Sequence, residues 1–176
     1  MRSDYKIYNN DYPHFVTSTI VELIPIFKDE NYIQILIDNF KFYQTNKSLK
    51  IYAFVIMENH FHMICKHEKL SRIISDFKKI TAKQIINQLK LDNEISLLEK
   101  FAALKKNHKT ESNYQIWQEG FHPQQISSQK MFNQKAEYIH YNPVKNELAE
   151  KMEEWKYSSA GYYLKGIKGV VSIDKF

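Results

Sequence analysis

Two histidines, His60 and His62, are separated by a single bulky hydrophobic residue, Phe61. Residues i and i+2 of a β-strand point to the same face, so in a strand the two imidazole groups would project side by side. Neutral imidazole is the commonest metal ligand, and two of them leave positions open for a third protein ligand, water and a phosphate oxygen. A metal site of this kind would be catalytic rather than a closed structural one, although the triplet alone is weak evidence for it. The alternative is a pair of half-buried histidines in a sheet, because such triplets are short and common.

A tyrosine and an asparagine lie four residues apart in the later segment AEYIHYNPVKN. In a helix, Tyr138 and Asn142 would share one face. A tyrosine hydroxyl can attack a phosphodiester, and an asparagine carbonyl can bind a hard divalent ion. Because free tyrosine has a pKa of about 10, the reaction needs a metal ion that stabilises charge on the displaced oxygen. Tyr138 is nevertheless one of 12 tyrosines, so a core or surface role is the alternative.

The segments around the histidines have the patterns of β-strands. Residues 14–23 are rich in β-branched and aromatic residues and predict a strand. Residues 50–67 form two apolar runs divided by Glu58 and Asn59, which predicts a hairpin with this polar pair at its turn. His60 would then stand at the start of the second strand of the hairpin.

Helical spacing of apolar residues appears over residues 31–43 and 71–89, and the second of these predicts an amphipathic, basic helix. Residues 114–126 have strand character at both ends around Gly120 and Pro123, which predicts an irregular strand or hairpin. A further helix is predicted through Leu97, Leu98, Phe101 and Leu104. Two groups of residues could bind phosphates: Arg72, Lys78, Lys79 and Lys83 on the basic helix, and Lys105, Lys106, His108 and Lys109 in a loop. The alternative is that these charges only make the surface soluble in water.

The segment that carries the tyrosine predicts a capped helix. Ser127 and Ser128 are candidate N-caps for a helix over residues 130–142. Pro143 should end or kink this helix, because proline disfavours helical geometry in the residue before it. Residues 144–152 would then form a short second helix.

The overall composition predicts one globular α+β domain over residues 1–176, with residues 155–176 as a C-terminal tail. The only cysteine, Cys65, excludes a disulfide framework and a cysteine-rich zinc site. The sequence has no signal-peptide pattern and no apolar run long enough to span a bilayer, so we expect a cytoplasmic protein without a membrane partner. A net charge of +5 with 12 tyrosines and 11 phenylalanines suits a nucleic-acid partner but does not establish one.

Three separate motifs, in this order, carry a family resemblance: FVIMENHFHMI, then IWQEGFHPQQI, then EYIHYNPVKNELAEKMEEWKYSSAGYY. They resemble the single-tyrosine HUH transposases, nearest to the branch of REP-associated tyrosine transposases. The resemblance covers most of the chain, from about residue 14 to residue 163. The order and combination of the motifs are far more specific than any one of them.

The resemblance implies a fold, a chemistry and a substrate. It implies an antiparallel sheet with helices packed on one side, similar to ferredoxin-like and RRM-type domains. It implies that His60 and His62 bind Mg²⁺ or Mn²⁺, that Tyr138 is the nucleophile, and that Asn142 is the polar ligand one turn later. Members of the family cut and rejoin single-stranded DNA, often folded into hairpins, through a 5′-phosphotyrosine, which places the protein in the bacterial cytoplasm at the nucleoid. Some members work as dimers, so a homodimer is a further expectation.

Several alternatives remain open for these residues. One alternative is that the chain is a non-catalytic module that binds single-stranded nucleic acid. Another is that it is a hydrolase in which water attacks and Tyr138 orients the substrate. Tyr141 is a second tyrosine on the same helix, although the family pattern places the nucleophile first. Asn142 precedes Pro143 and would otherwise cap a following helix, and His140 is expected on the surface, where it would contact DNA. Further residues with either a DNA-contacting role or a plain core or loop role are Tyr114, Trp117, Phe121 and His122.

Overall fold

An antiparallel sheet and the helices packed on it form the described part of the chain. The computed structural model describes Ile7, residues 9–107 and residues 112–176. Its elements are β1 (His14–Thr19), α1 (Glu30–Lys47), β2 (Lys50–Ile56), β3 (His60–Lys66), α2 (Leu70–Leu91), α3 (Ile95–Ala103), β4 (Gln124–Gln125), α4 (Gln129–Lys145) and α5 (Ala160–Lys165). Short 3₁₀ turns occupy Val21–Leu23, Ile26–Lys28 and Met152–Glu154. Of the predicted basic loop, His108 and Lys109 lie outside the described residues.

The sheet has the strand order β2-β3-β1-β4, and each neighbouring pair is antiparallel. Because β1 and β2 are both antiparallel to β3, they run parallel to each other on either side of it, which is the split βαβ arrangement of ferredoxin-like folds. This topology confirms the predicted α+β class. The predicted hairpin is also confirmed, since β2 ends at Ile56 and β3 begins at His60.

Both faces of the sheet are covered, which differs from the one-sided arrangement that the resemblance implies. Phe61 and Met63 on β3 belong to the main core with α1 and α2, whereas Ile64 belongs to a second apolar cluster that contains Phe132 and Ile139 of α4. The physical reason lies in β2 and β3, which are apolar along almost their whole length and bury both of their faces. Alternation along β3 therefore places His60 and His62 on the α4 side.

Helix α2 confirms the predicted amphipathic, basic helix. Its buried residues follow the helical period, and Arg72, Lys79 and Lys83 are exposed. Ile80, which the pattern also placed among the apolar residues, is 42% exposed. No helix in the described ranges combines the length and the apolarity that crossing a membrane requires.

The connection between α3 and α4 contains less strand than predicted. Among the residues of this connection that the structure describes, Gln124–Gln125 alone forms a strand paired with β1, and Trp117 forms an isolated bridge with Ile20. Trp117 is buried in the main core, where its indole N–H donates to the hydroxyl of Thr81 at 3.0 Å. Trp117 is therefore a core residue, which is one of the two roles that the sequence left open for it.

Helix α4 continues past Pro143 to Lys145, so the predicted end at Asn142 was wrong by three residues. A second helix over residues 144–152 does not form, because the chain turns sharply at Glu147, whose φ of 59° is left-handed. The N–H of Leu148 then donates to the carbonyl of Pro143 at 2.9 Å, as in a Schellman ending. The helix therefore keeps Tyr138 and Asn142 on one continuous face.

The predicted N-cap of α4 gives a stability test. The Ser128 hydroxyl accepts a hydrogen bond from the N–H of Met131 at 3.2 Å, which satisfies a helix donor that has no partner within the helix. Ser128→Ala is expected to lower the free energy of unfolding by about 1 kcal/mol, measured by urea denaturation. Ser127→Ala is the matched control, because the Ser127 hydroxyl contacts the sulfur of Met131 and caps no backbone N–H. Equal losses in both variants would contradict the cap assignment.

Residues 155–176, which the sequence predicts as a tail, lie along the outer edge of β2. The N–H of Ser159 donates to the carbonyl of Phe54, and the N–H of Asp174 donates to the carbonyl of Ile51. The Asp174 carboxylate accepts a hydrogen bond from the N–H of Ile51 at 2.9 Å. This segment therefore takes up the backbone groups that an edge strand would otherwise expose.

Candidate active site

The two histidines of β3 lie side by side on the face of the sheet that α4 covers. The ring centroids of His60 and His62 are 4.7 Å apart, with an angle of 72° between the ring planes. Their position follows from the strand itself, because Phe61 between them points into the core on the opposite face. Two imidazoles on one rigid strand are thereby presented to the same space.

The Nδ1 atom of each ring already has a hydrogen-bond partner. His60 Nδ1 is 2.6 Å from Asn59 Oδ1, and the amide N–H of Asn59 donates to the carbonyl of Leu23. Since this second bond fixes the orientation of the amide, Oδ1 accepts from Nδ1–H, and the lone pair of His60 is on Nε2. His62 Nδ1 is 2.7 Å from the hydroxyl of Thr17, its cross-strand partner. Such partners orient metal-binding imidazoles and set their tautomer.

Both imidazoles are held in the neutral form that binds metal ions. Burial lowers the pKa of His60 below its ordinary value. Burial, followed by the charges of His60 and Lys135, lowers the pKa of His62 to about 3. An imidazole with a lowered pKa keeps its lone pair at neutral pH, so neither ring must lose a proton before it binds a cation.

Tyr138 of α4 lies directly against the histidine pair. Its ring centroid is 5.3 Å from that of His62, and 5.9 Å from that of Phe15 on β1. The side chain is 46% exposed, so its hydroxyl is accessible to a large substrate. Tyr138 and His62 are 76 positions apart in the sequence. The packing of α4 on the sheet brings this predicted nucleophile and this predicted metal ligand into direct contact.

Asn142 lies one helical turn beyond Tyr138. Along α4, Lys135 contacts Phe15, whose cross-strand partner on β3 is Ile64, and Tyr138, one turn later, contacts His62. The helix therefore runs toward the end of β3 at which His60 lies. Asn142 is buried, and its amide N–H donates to the carbonyl of Tyr138 at 2.9 Å. Because that bond uses the amide nitrogen, the side-chain oxygen is the atom left to act as a ligand.

These donors fit an open cation site better than a closed structural site. Among the described residues, no three His, Cys, Asp or Glu side chains are grouped so that they could hold a metal ion. The predicted set is the imidazole nitrogens of His60 and His62 and the amide oxygen of Asn142, which would leave positions for water and a phosphate oxygen. The structure shows His60 and His62 side by side, and places Asn142 one turn from Tyr138.

A comparison with solved structures identifies a similar architecture. The chain matches the structure of a REP-associated tyrosine transposase bound to a REP hairpin, with a TM-score of 0.70 and 18% sequence identity. The match covers 99% of this chain and 93% of the other. The chain has the fold of a REP-associated tyrosine transposase. No protein-family model matches the sequence, and no curated protein matches it.

Within this transposase fold, Lys135 stands beside the predicted nucleophile and was missed from the sequence. Its ammonium nitrogen is 4.7 Å from the centroid of the Phe15 ring and 6.0 Å from that of the Tyr138 ring. The spacing of three residues between Lys135 and Tyr138 was the available signal, because such residues share a helical face. Thr17 and Asn59 were also missed, since only the strand register and the turn place them at the histidines.

Two neighbours of Tyr138 on α4 have other positions. His140 is buried, with Nε2 2.8 Å from the Ser159 hydroxyl, and burial lowers its pKa to about 4. The prediction that His140 would lie on the surface and contact DNA was wrong, because residues 155–176 cover that side of the helix. Tyr141 is 47% exposed and makes no ring contact with the histidine pair. The structure therefore places Tyr138, and not Tyr141, against His62.

Proposed function

We propose that the protein is a DNA transposase that nicks and rejoins single-stranded, hairpin-forming DNA through a covalent bond to Tyr138. The observation that carries the proposal is the contact between Tyr138 and His62, in a site where both imidazoles are neutral and oriented. The Tyr138 ring contacts His62 while the side chain stays 46% exposed, so a phosphodiester can reach it from the open side of the ring. The shared fold with a hairpin-bound transposase supports the same conclusion.

The chemistry assigned to Tyr138 is a reversible transfer of one phosphodiester. The phenol oxygen attacks phosphorus, a bond between them forms, and the bond from phosphorus to the 3′ oxygen breaks. The departing oxygen keeps the electron pair and becomes a 3′-hydroxyl, while the phenol gives up its proton to the surrounding water, which supplies one to that hydroxyl. Because a phosphodiester is exchanged for a phosphodiester, the same hydroxyl can reverse the reaction and reseal the strand.

We assign the binding of Mg²⁺ or Mn²⁺ to His60, His62 and Asn142. When bound, the cation polarises the scissile phosphate and stabilises the negative charge that develops on the leaving oxygen. The chain itself supplies the orientation of the ligands, through Asn59 and Thr17 behind the two rings.

The assignment of Asn142 gives a prediction with a control on the same helix. Asn142→Ala is expected to raise the Mn²⁺ concentration needed for half-maximal binding by about tenfold, because one oxygen ligand is removed. Asn146→Ala is the control, since the Asn146 amide also donates to the carbonyl four residues earlier, at 2.9 Å, and is exposed. Titration calorimetry would measure both variants. The same Mn²⁺ affinity in both would contradict the ligand role of Asn142.

The experiment that tests the proposed function uses labelled single-stranded oligonucleotides that carry candidate hairpins from the flanks of the gene. Purified protein is incubated with each in Mg²⁺, in Mn²⁺ or in a chelator, and the products are separated under denaturing conditions. We expect a cation-dependent band of DNA attached to protein, with the attachment mapped to Tyr138 by mass spectrometry. DNA that is bound but never cut would overturn the proposal in favour of a non-catalytic binding module. Cleavage without an adduct would identify a hydrolase instead.

A further inference from the structure

Lys135 is a half-buried cation whose contacts with the protein are aromatic. Its ammonium lies over the rings of Phe15 and Tyr138. Among the residues that the structure describes, none forms a hydrogen bond or an ion pair with Lys135. Glu137, the nearest acid in sequence, is two positions away on the same helix and points in another direction. The positive charge beside Tyr138 therefore has no protein carboxylate to balance it within the described residues.

An unbalanced cation at a partly buried position costs free energy, because it gives up part of its hydration. A contact with aromatic faces returns only part of that lost hydration. Most lysines on α4 avoid this cost, since Lys130 and Lys145 are exposed. The position of Lys135 is therefore best explained by an anion that arrives from outside the protein.

The location of the ammonium decides which anion it meets. Lys135 lies one turn before Tyr138 on the same face of α4, and its ammonium nitrogen is 6.0 Å from the centroid of the Tyr138 ring, which is itself 5.3 Å from that of His62. A phosphate placed for attack by the Tyr138 hydroxyl would lie between Tyr138 and the histidine pair. It would approach on the side that Lys135 faces.

We propose that Lys135 binds a non-bridging oxygen of the scissile phosphate, an inference that rests on the proposed function. In this position the ammonium holds the phosphate over Tyr138 and offsets the negative charge that builds up on phosphorus-bound oxygens during the attack. His60, His62 and Asn142 would hold a divalent cation that supplies a second positive charge to the same phosphate. The site then has two positive groups around one scissile bond.

The first test compares the rate of adduct formation between two lysine variants of α4. Lys135→Gln is expected to slow adduct formation by about 100-fold, as the loss of one charge-stabilising donor does in other active sites. Lys130→Gln is the matched control, because Lys130 is an exposed lysine on the same helix, and it should keep the wild-type rate. Lys135→Arg should recover most of the rate, since it restores the charge. An unchanged melting temperature of Lys135→Gln would show that the loss is not structural.

The second test asks whether Lys135 acts on that phosphate and not on the tyrosine. The Tyr138→Phe background prevents cutting, so affinities can be measured for hairpin DNA with a normal phosphate or a neutral methylphosphonate at the mapped cleavage position. The measurement is made with a chelator that removes divalent cations, so that Lys135 is the positive group under test. The neutral linkage is expected to weaken binding about tenfold when Lys135 is present, the size of a charge-assisted hydrogen bond. In Lys135→Gln it should have no further effect, because contacting groups are not additive.

The outcomes separate this inference from the proposed function. Equal rates of adduct formation by the wild-type protein and by Lys135→Gln would overturn the role of Lys135 and leave the proposed function intact. Independent effects of the lysine change and the neutral linkage would also overturn it. If the wild-type protein forms no adduct with any hairpin, the proposed function fails, and this inference fails with it.

Discussion

Tyr138→Phe is expected to abolish the covalent adduct between protein and hairpin DNA, with a fall in rate of at least about 10⁴-fold. Only the phenol oxygen is removed, so the ring can keep its contacts with His62 and Phe15. Binding of uncut hairpin DNA, measured by fluorescence anisotropy, should therefore stay at the wild-type level. Loss of cutting with retained binding is the signature of a missing nucleophile.

Tyr141→Phe is the matched control for this substitution. Tyr141 has nearly the same exposure as Tyr138, 47% against 46%, and lies on the same helix. It should form the adduct at the wild-type rate. If Tyr141→Phe abolished the adduct while Tyr138→Phe kept it, the nucleophile would have been assigned to the wrong tyrosine.

Replacement of either histidine of β3 by alanine is expected to remove cation-dependent cutting, with a loss of about 10²- to 10³-fold. His60→Ala is the cleaner variant, because His60 is half-buried, whereas His62 is buried between Phe15 and Tyr138. Binding of Mn²⁺, followed by titration calorimetry in the absence of DNA, should weaken to the same extent. This second measurement separates a lost ligand from a disturbed DNA surface.

His67→Ala is the control for the histidine pair. His67 follows directly after β3, and its Nδ1 accepts a hydrogen bond from the N–H of Lys69, outside the site. Its Mn²⁺ affinity and its rate of adduct formation should match those of the wild type. An unaltered Mn²⁺ titration in His60→Ala would remove the metal assignment and leave Tyr138 to be tested alone.

Local patterns predicted the elements that carry the site. The polar pair Glu58-Asn59 between two apolar runs predicted the hairpin, and Ser128 before an apolar helical pattern predicted the start of α4. The i and i+2 spacing of the histidines then fixed their common face. These features depend on neighbours in sequence, and so a single sequence is enough to find them.

The features that sequence analysis missed depend on partners far along the chain. Thr17 contacts His62 only because β1 and β3 pair in one particular register. His140 is buried because Ser159, 19 positions later, lies against it. The segment that covers the edge of β2 could not be predicted for the same reason, since Asp174 and Ile51 are 123 positions apart. No local pattern encodes such pairings.

The cover along β2 has a consequence for the behaviour of the protein in solution. An uncovered strand edge is a template on which a second polypeptide can add its own strand. Residues 155–176 hold that edge through backbone hydrogen bonds and through Tyr157 and Val171, which are buried in the main core. Loss of this segment would therefore both open the core and expose a strand edge to a second polypeptide.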